Sequence, residues 1–249
     1  PFSVSAAFLL HGTAKDRLDA GRTGFYSFRD NLSFAKGNPN MLKYVLYLIL
    51  AALIIGLIAG GLHLYRVSVR NKDEMEKYAG EKIQVSRNFG KVLVVYFSLT
   101  GHTREIAEKI KSETGADVYE IKTAEEMPSG PSLYTRSREQ IKSGNYPALQ
   151  GNIPDMESYD LVFVGAPVWW YTVAPPVLSF LNQVDFKGRK VVPFSTQGSN
   201  VGTFFEDFKK KAENARVLQG ASFNNLPKKY GKAVDNKIAV WLNGLDLDG

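Results

Sequence analysis

The 249-residue chain contains no cysteine, which excludes disulfide staples, thiolate metal sites, iron–sulfur clusters and cysteine nucleophiles together. Its three histidines, His11, His63 and His102, are too scattered to suggest a zinc or iron centre, and no metal is expected. A basic domain is missing too. The formal charge is +6, yet residues 91–249 hold 19 Lys+Arg against 18 Asp+Glu, a net of +1. That part has no basic face for a phosphate backbone, so nucleic acid is not an expected partner. The excess sits in residues 1–90, with 12 basic against 7 acidic residues, and a membrane explains it better. At 44% hydrophobic residues the chain is far too apolar to be disordered.

Charge is absent altogether from Tyr44 to Tyr65, YVLYLILAALIIGLIAGGLHLY, a run of 22 residues. As a helix rising about 1.5 Å per residue it covers about 33 Å, enough for a hydrocarbon core about 30 Å thick. Tyr44, Tyr47 and Tyr65 lie near the ends, where amphipathic rings prefer to sit. A buried core helix is rarely apolar all round for this length. The run exceeds an ordinary signal-peptide core and its exit has no A-x-A site, which favours a retained anchor over residues 41–66, with a cleaved signal as the alternative. Basic residues Arg66, Arg70, Lys72, Lys77 and Lys82 follow the span, while only Lys36 and Lys43 precede it closely. The positive-inside rule then places the C-terminal domain in the cytoplasm, or outside the cell if a signal is cleaved.

Residues 1–40 show no sustained period. The first methionine is Met41, directly before Lys43 and the apolar run, and codons for Ala35-Lys36-Gly37 would be purine-rich, as a ribosome-binding site is. The expectation is a start at Met41, with residues 1–40 either translated upstream sequence or a disordered leader. Residues 67–90, polar and charged, read as a juxtamembrane linker.

From residue 91 strands and helices alternate. Lys91–Phe97 (KVLVVYF) is a continuous β-branched and aromatic run, as in a strand buried on both faces. A helix is expected over Thr103–Glu113, a strand over Asp117–Ile121, and a further strand over Asp160–Gly165. Then come a helix near Pro175–Val184, a strand over Arg189–Phe194 and a helix over Phe204–Asn214. A strand over Arg216–Phe223 and a helix over Lys232–Leu245 close the chain. The pattern predicts an α/β domain with a five-stranded, parallel, doubly wound sheet, preceded by one transmembrane helix. The long crossover Lys122–Ser158, containing Tyr134, Arg136, Arg138, Glu139 and Tyr146, has room for a helix near Leu133–Ser143 and is long enough to lie over the edge of a ligand at the strand ends, although a surface helix with solvated charges is the plainer reading.

In such a sheet ligands bind beyond the carboxyl ends of the central strands. After the first strand comes Ser98-Leu99-Thr100-Gly101-His102-Thr103. Its hydroxyls, a turn glycine and the helix start suit one phosphate group. No Walker lysine and no G-x-G-x-x-G is present, which disfavours a nucleoside triphosphate or a dinucleotide. An ordinary turn capped by Thr103 is the plainer alternative. After the third strand, Ala166-Pro167-Val168-Trp169-Trp170-Tyr171 brings three adjacent aromatics to the mouth of the sheet, where something must stack on them or one must pack on the next helix. After the fourth, Ser195-Thr196-Gln197-Gly198-Ser199-Asn200 is a polar loop able to hydrogen-bond a flat heterocycle. Cradle, wall and clamp together fit a phosphorylated planar cofactor.

These loops, in this order, resemble those of the flavodoxin family, FMN-binding proteins of this fold. YFSLTGHT (96–103) is similar to the family's phosphate loop, GAPVWWYTVAPPVLSFL (165–181) to a Trp-Trp branch, and PFSTQGS (193–199) to the loop on the pyrimidine side of the flavin. The resemblance covers about Lys91–Leu245. It implies FMN as cofactor. Ser98, Leu99, Thr100, Gly101, His102 and Thr103 would hold the phosphate. Pro167, Val168, Trp169 and Trp170 would wall the isoalloxazine, and Ser195, Thr196, Gln197 and Gly198 would meet its O2/N3 edge. A protonated His102 beside the phosphate is one option, a solvent-facing helix-start residue the other. Many flavodoxins carry a glycine in the second loop that lets a peptide flip onto the flavin; here there is none to ease a positive φ.

No acid/base pair or nucleophile stands out, and no catalytic residue is named. An apolar wall is expected to lower the flavin's potential by disfavouring the charge that reduction adds. The reading is a membrane-anchored FMN protein in electron transfer, its partner a redox protein or a small-molecule acceptor. An FMN-dependent NAD(P)H:quinone-type reductase is the enzymatic alternative, and a non-redox membrane-tethered module the third.

Overall fold

A computed structural model describes residues 39–247; the expectations for the leader before them lie outside the described residues. The chain divides into two units, Pro1–Tyr65 and Arg66–Gly249. Helix α1 runs Pro39–Glu76. Over Tyr44–Tyr65 every side chain is exposed, and the helix is long and apolar enough to cross a membrane, with mean hydropathy 2.7 and none of its most apolar window buried.

In the second unit the elements are β1 (Val92–Tyr96), α2 (His102–Thr114), β2 (Asp117–Glu120), β3 (Lys122–Thr123), α3 (Pro131–Ser143), β4 (Leu149–Gln150), β5 (Leu161–Trp169) and β6 (Thr172–Val173). They continue with α4 (Pro175–Leu181), β7 (Lys190–Gln197), α5 (Phe204–Lys211), β8 (Arg216–Val217), β9 (Ala221–Asn224) and α6 (Gly231–Asn243). The parallel order is β2-β1-β5-β7-β8, with β9 also on β7, the doubly wound topology expected. β3 and β4 form a separate antiparallel ribbon in the crossover.

Period-two geometry builds the two cores. In β1, Val92, Val94 and Tyr96 face one layer with Ile106 and Ile110 of α2 and Ile238 and Leu242 of α6. Leu93, Val95 and Phe97 face the other, with Val177 and Phe180 of α4 and Phe204 and Phe208 of α5. Every residue of β1 is buried, so its uninterrupted apolar run reflects apolar partners on both sides. Gly165 admits the Phe194 ring, which a Cβ would meet at 2.0 Å.

Three strand readings are corrected. The fifth strand, expected as one piece over Arg216–Phe223, is broken into β8 and β9. Leu218 N–H still donates to Val191 O at 2.8 Å, but opposite Gly220 stands Pro193, whose carbonyl a Gly220 Cβ would meet at 2.3 Å. A proline has no N–H to offer the neighbouring strand, and the ladder lapses there. The third and fourth strands run further than Gly165 and Phe194, to Trp169 and Gln197. β5 is prolonged by its hairpin with β6 and β7 by its pairing with β9.

Residues 77–90 hold no regular element beyond a turn, yet they are tied to α6. Asn236, 1% exposed, donates to Tyr78 O and Glu81 O, both at 2.9 Å, and accepts from Ile83 N–H at 2.9 Å. Two turns on, Asn243 donates to Gln84 O at 2.9 Å and accepts from Ser86 N–H at 3.1 Å. Side-chain amides thus supply the partners that a strap without a sheet lacks. The stretch read from its charge as a linker packs as part of the second unit.

Candidate functional site

The carboxyl ends of β1, β5 and β7 border a cleft of about 530 Å³, a size within the ordinary range for small-molecule sites. Its first wall is the turn into α2. Gly101 is the N-cap, at φ 94°, with no side-chain cap on the helix. Its own N–H donates to Ser98 Oγ at 3.1 Å, and the first helical bond runs from Glu105 N–H to Gly101 O. The N–H groups of His102, Thr103 and Arg104 therefore precede the helix's own ladder, the arrangement that binds anions. Leu99, Thr100, His102 and Thr103 line the cleft; Ser98 and Gly101 shape the turn behind them. Thr103 is not the cap its position suggested. It is buried, and its hydroxyl bonds that of Thr196 at 2.8 Å, joining the first loop to the third.

The second wall is a hairpin. Val168 pairs Val173 and Trp169 pairs Thr172, leaving Trp170 and Tyr171 as its two turn residues at φ 53° and 65°. The absence of a glycine argued against positive φ here, and the structure adopts it nonetheless. The turn is pinned from outside: Thr203 N–H donates to Tyr171 O at 2.8 Å, and the hydroxyls of Thr172 and Thr203 both donate to Asp207, at 2.7 and 2.6 Å. The two tryptophans have different environments. Trp169 is half-buried, edge-on to Phe97 at 5.8 Å. Trp170 is exposed, edge-on to Tyr134 at 6.3 Å, donates its indole N–H to Ser137 Oγ at 3.0 Å, and carries the Arg138 guanidinium 5.2 Å from its ring centroid.

In the third wall Thr196 and Gln197 are buried, and with Gly198 they line the cleft. Ser195 sits behind them, wholly buried, donating to Gln197 Oε1 at 3.0 Å. Tyr171, Ser199 and Asn200, which belong to the aromatic and polar loops read from the sequence, line the cleft too, whereas Leu133 and Ser137 of α3 and Asn225 after β9 were not singled out and Tyr134 was read mainly as a surface residue. The length of the crossover was the one signal for α3. Asn225 follows from topology, since β9 lies beside β7. Among the described residues no carboxylate lines the cleft. At the carboxyl end of β1, outside the cleft lining, burial pushes the Tyr96 phenol upward despite the hydrogen bond it accepts from Arg104.

The donor set fits FMN: free helix-start N–H groups and hydroxyls for a phosphate, aromatic and apolar side chains for a flat ring, and amides at the far edge. Residues 91–243, more than half of the chain, match the flavodoxin family. The chain belongs to that family, and its cleft chemistry agrees with FMN as the cofactor. Among solved structures it is similar to a flavoprotein from Lactobacillus acidophilus NCFM crystallised with FMN, 28% identical over 53% of this chain and 93% of that one, with a TM-score of 0.50. It is also similar to a Bacteroides eggerthii protein described as a flavoprotein, 29% identical over 62% of this chain and 96% of that one, TM-score 0.54. No curated protein matches it.

Proposed function

We propose that this chain is a membrane-anchored flavodoxin that carries electrons, held by residues 41–66 with its FMN domain on the cytoplasmic side. The observation that carries the reading is the convergence of three strand-end loops on one cleft, free of carboxylates among the described residues, with an uncapped helix N-terminus at one end. Bound FMN supplies the redox chemistry. The first loop's hydroxyls and N–H groups hold the phosphate, and the Trp169–Trp170 wall excludes water from one face of the ring. The Thr196–Gly198 segment fixes its polar edge. The apolar span and the basic residues Arg66, Arg70, Lys72, Lys77 and Lys82 support the anchor and its orientation.

A reductase reading draws on one feature, the border of α3 on the cleft: Leu133 and Tyr134 add an apolar rim where an aromatic acceptor has room. The discriminating experiment starts from the full chain purified in detergent. Flavin bands in the visible spectrum and released FMN are expected, and Thr100→Ala combined with Gly101→Val removes them. Colourless protein that takes up no added FMN overturns the reading. NAD(P)H consumption without an added reductase moves the assignment from carrier to enzyme.

A further inference from the structure

The last turns of α1, Arg66–Glu76, lie outside the residues that match the family, yet they reach the cofactor's third loop. Met75 is 2% exposed and packs in the core, and Glu74 pairs with Lys237 at 2.6 Å. Those contacts dock the helix end. One turn earlier, Arg70 donates to the carbonyl of Ser199, which lines the cleft. Asn71 Oδ1 accepts from Asn224 Nδ2 at 2.7 Å, Asn224 Oδ1 accepts from Gln197 Nε2 at 3.1 Å, and Gln197 Oε1 accepts from the Ser195 hydroxyl at 3.0 Å.

This relay has a single polarity. A carboxamide has a donor end and an acceptor end, and each amide in the row can turn over only if its neighbour also turns. Gln197 is the member that lines the cleft, and one of its two N–H hydrogens remains for a ligand once Asn224 takes the other. Asn71, Asn224 and Gln197 therefore turn as one row, and with Asn71 presenting Oδ1 to Asn224, one N–H of Gln197 goes to Asn224 and its Oε1 to Ser195.

We infer that Asn71, on the membrane-proximal helix, is a positioning residue of the FMN site: it orients the Gln197 amide through Asn224, while Arg70 holds the turn at Ser199. The inference rests on the FMN reading. It makes the segment that leaves the anchor part of the cofactor site, so a chain cut at residue 91, where the family match begins, lacks the Asn71 and Arg70 contacts to its third loop.

The test is FMN affinity of the deflavinated full chain in detergent, read from quenching of flavin fluorescence. Asn71→Leu removes the acceptor at similar volume and is expected to weaken binding about tenfold, the scale of one hydrogen bond to a buried group. Asn71→Asp keeps an acceptor oxygen and is expected to bind within about threefold of the parent. Arg70→Gln gives a smaller loss. Apo melting temperatures separate lost fold from lost positioning. Asn71→Leu binding as tightly as the parent overturns the inference and leaves the FMN reading standing. Asn71→Asp as weak as Asn71→Leu also overturns it, since a merely structural asparagine is not rescued by an acceptor. Failure of the parent chain to bind FMN overturns the underlying reading instead.

Discussion

The first and second loops meet one requirement, a backbone turned into the left-handed region beside the cleft, by opposite means. In the first loop Gly101 takes φ 94°, and a Cβ added there would meet nothing within 4 Å, so the glycine is present for its dihedral alone. In the second loop Trp170 and Tyr171 occupy both turn positions at φ 53° and 65°. Hairpins normally put glycine or asparagine there, and each bulky residue costs about 1–2 kcal/mol. The glycine that serves this turn is distant in sequence. A Cβ on Gly202 would stand 2.2 Å from the Tyr171 carbonyl, the same carbonyl that Thr203 N–H bonds at 2.8 Å. A locally encoded turn can be read from its own residues, whereas one imposed by tertiary contacts cannot.

The largest effect is expected where the local device is destroyed. Gly101→Val puts a β-branched residue at a dihedral it does not tolerate, worth about 1–3 kcal/mol of strain. The loop relieves that strain by abandoning the phosphate-binding conformation, and FMN affinity measured by fluorescence titration falls on the order of 100-fold. Next is the distant support of the second loop. Gly202→Ala combines a positive φ with a backbone clash, and the second unit is expected to lose about 2–3 kcal/mol, a fall of about 5–10 °C in melting temperature. If Gly202→Ala melts like the parent, the second loop holds its own shape and the contrast with the first collapses.

A smaller effect reports the link between loops. Thr196→Val leaves the buried Thr103 hydroxyl, 1% exposed, without the partner it has at 2.8 Å, at a cost of about 1–2 kcal/mol. The double variant Thr103→Val with Thr196→Val should recover most of that, because no orphaned hydroxyl remains. A double-mutant cycle on thermal unfolding checks this, and strict additivity would show that the two hydroxyls do not pair.

The contrast also shows what was legible from residues alone. The β1 run was readable because burial on both faces leaves no alternation to misread, and the first loop because hydroxyls, glycine and helix start are contiguous. The ends of β5 and β7 were not, since Pro167 and Thr196 become strand by pairing with each other, Trp169 by pairing with β6, and Thr196 and Gln197 by pairing with β9, which local propensity does not see. The break at Gly220 was hidden for a related reason: the proline responsible belongs to the neighbouring strand. Residues 67–90 were misleading in composition. Their charges suggest a solvated linker, but Asn236 and Asn243, seven apart on one face of α6, bind their backbone. Two asparagines in a helix carry no sequence signal for that role.

The smallest expected effect is the most direct measure of strain in the second loop. Tyr171 is 63% exposed, and its side chain adds little buried area, so Tyr171→Gly removes mainly the unfavourable dihedral. Against that gain stands the extra freedom glycine confers on the unfolded chain, about 0.5–1 kcal/mol. Relief of about 1–2 kcal/mol wins narrowly, and a net stabilisation of about 0.5–1 kcal/mol follows, near 2–4 °C in melting temperature. Trp170→Gly should not share it. That residue loses the Ser137 hydrogen bond, the edge contact with Tyr134 and the Arg138 cation along with its strain. A stabilised Tyr171→Gly beside a destabilised Trp170→Gly would show that the turn keeps tryptophan for its contacts with α3. Two destabilised variants would mean that the outer contacts have already absorbed the strain at both positions.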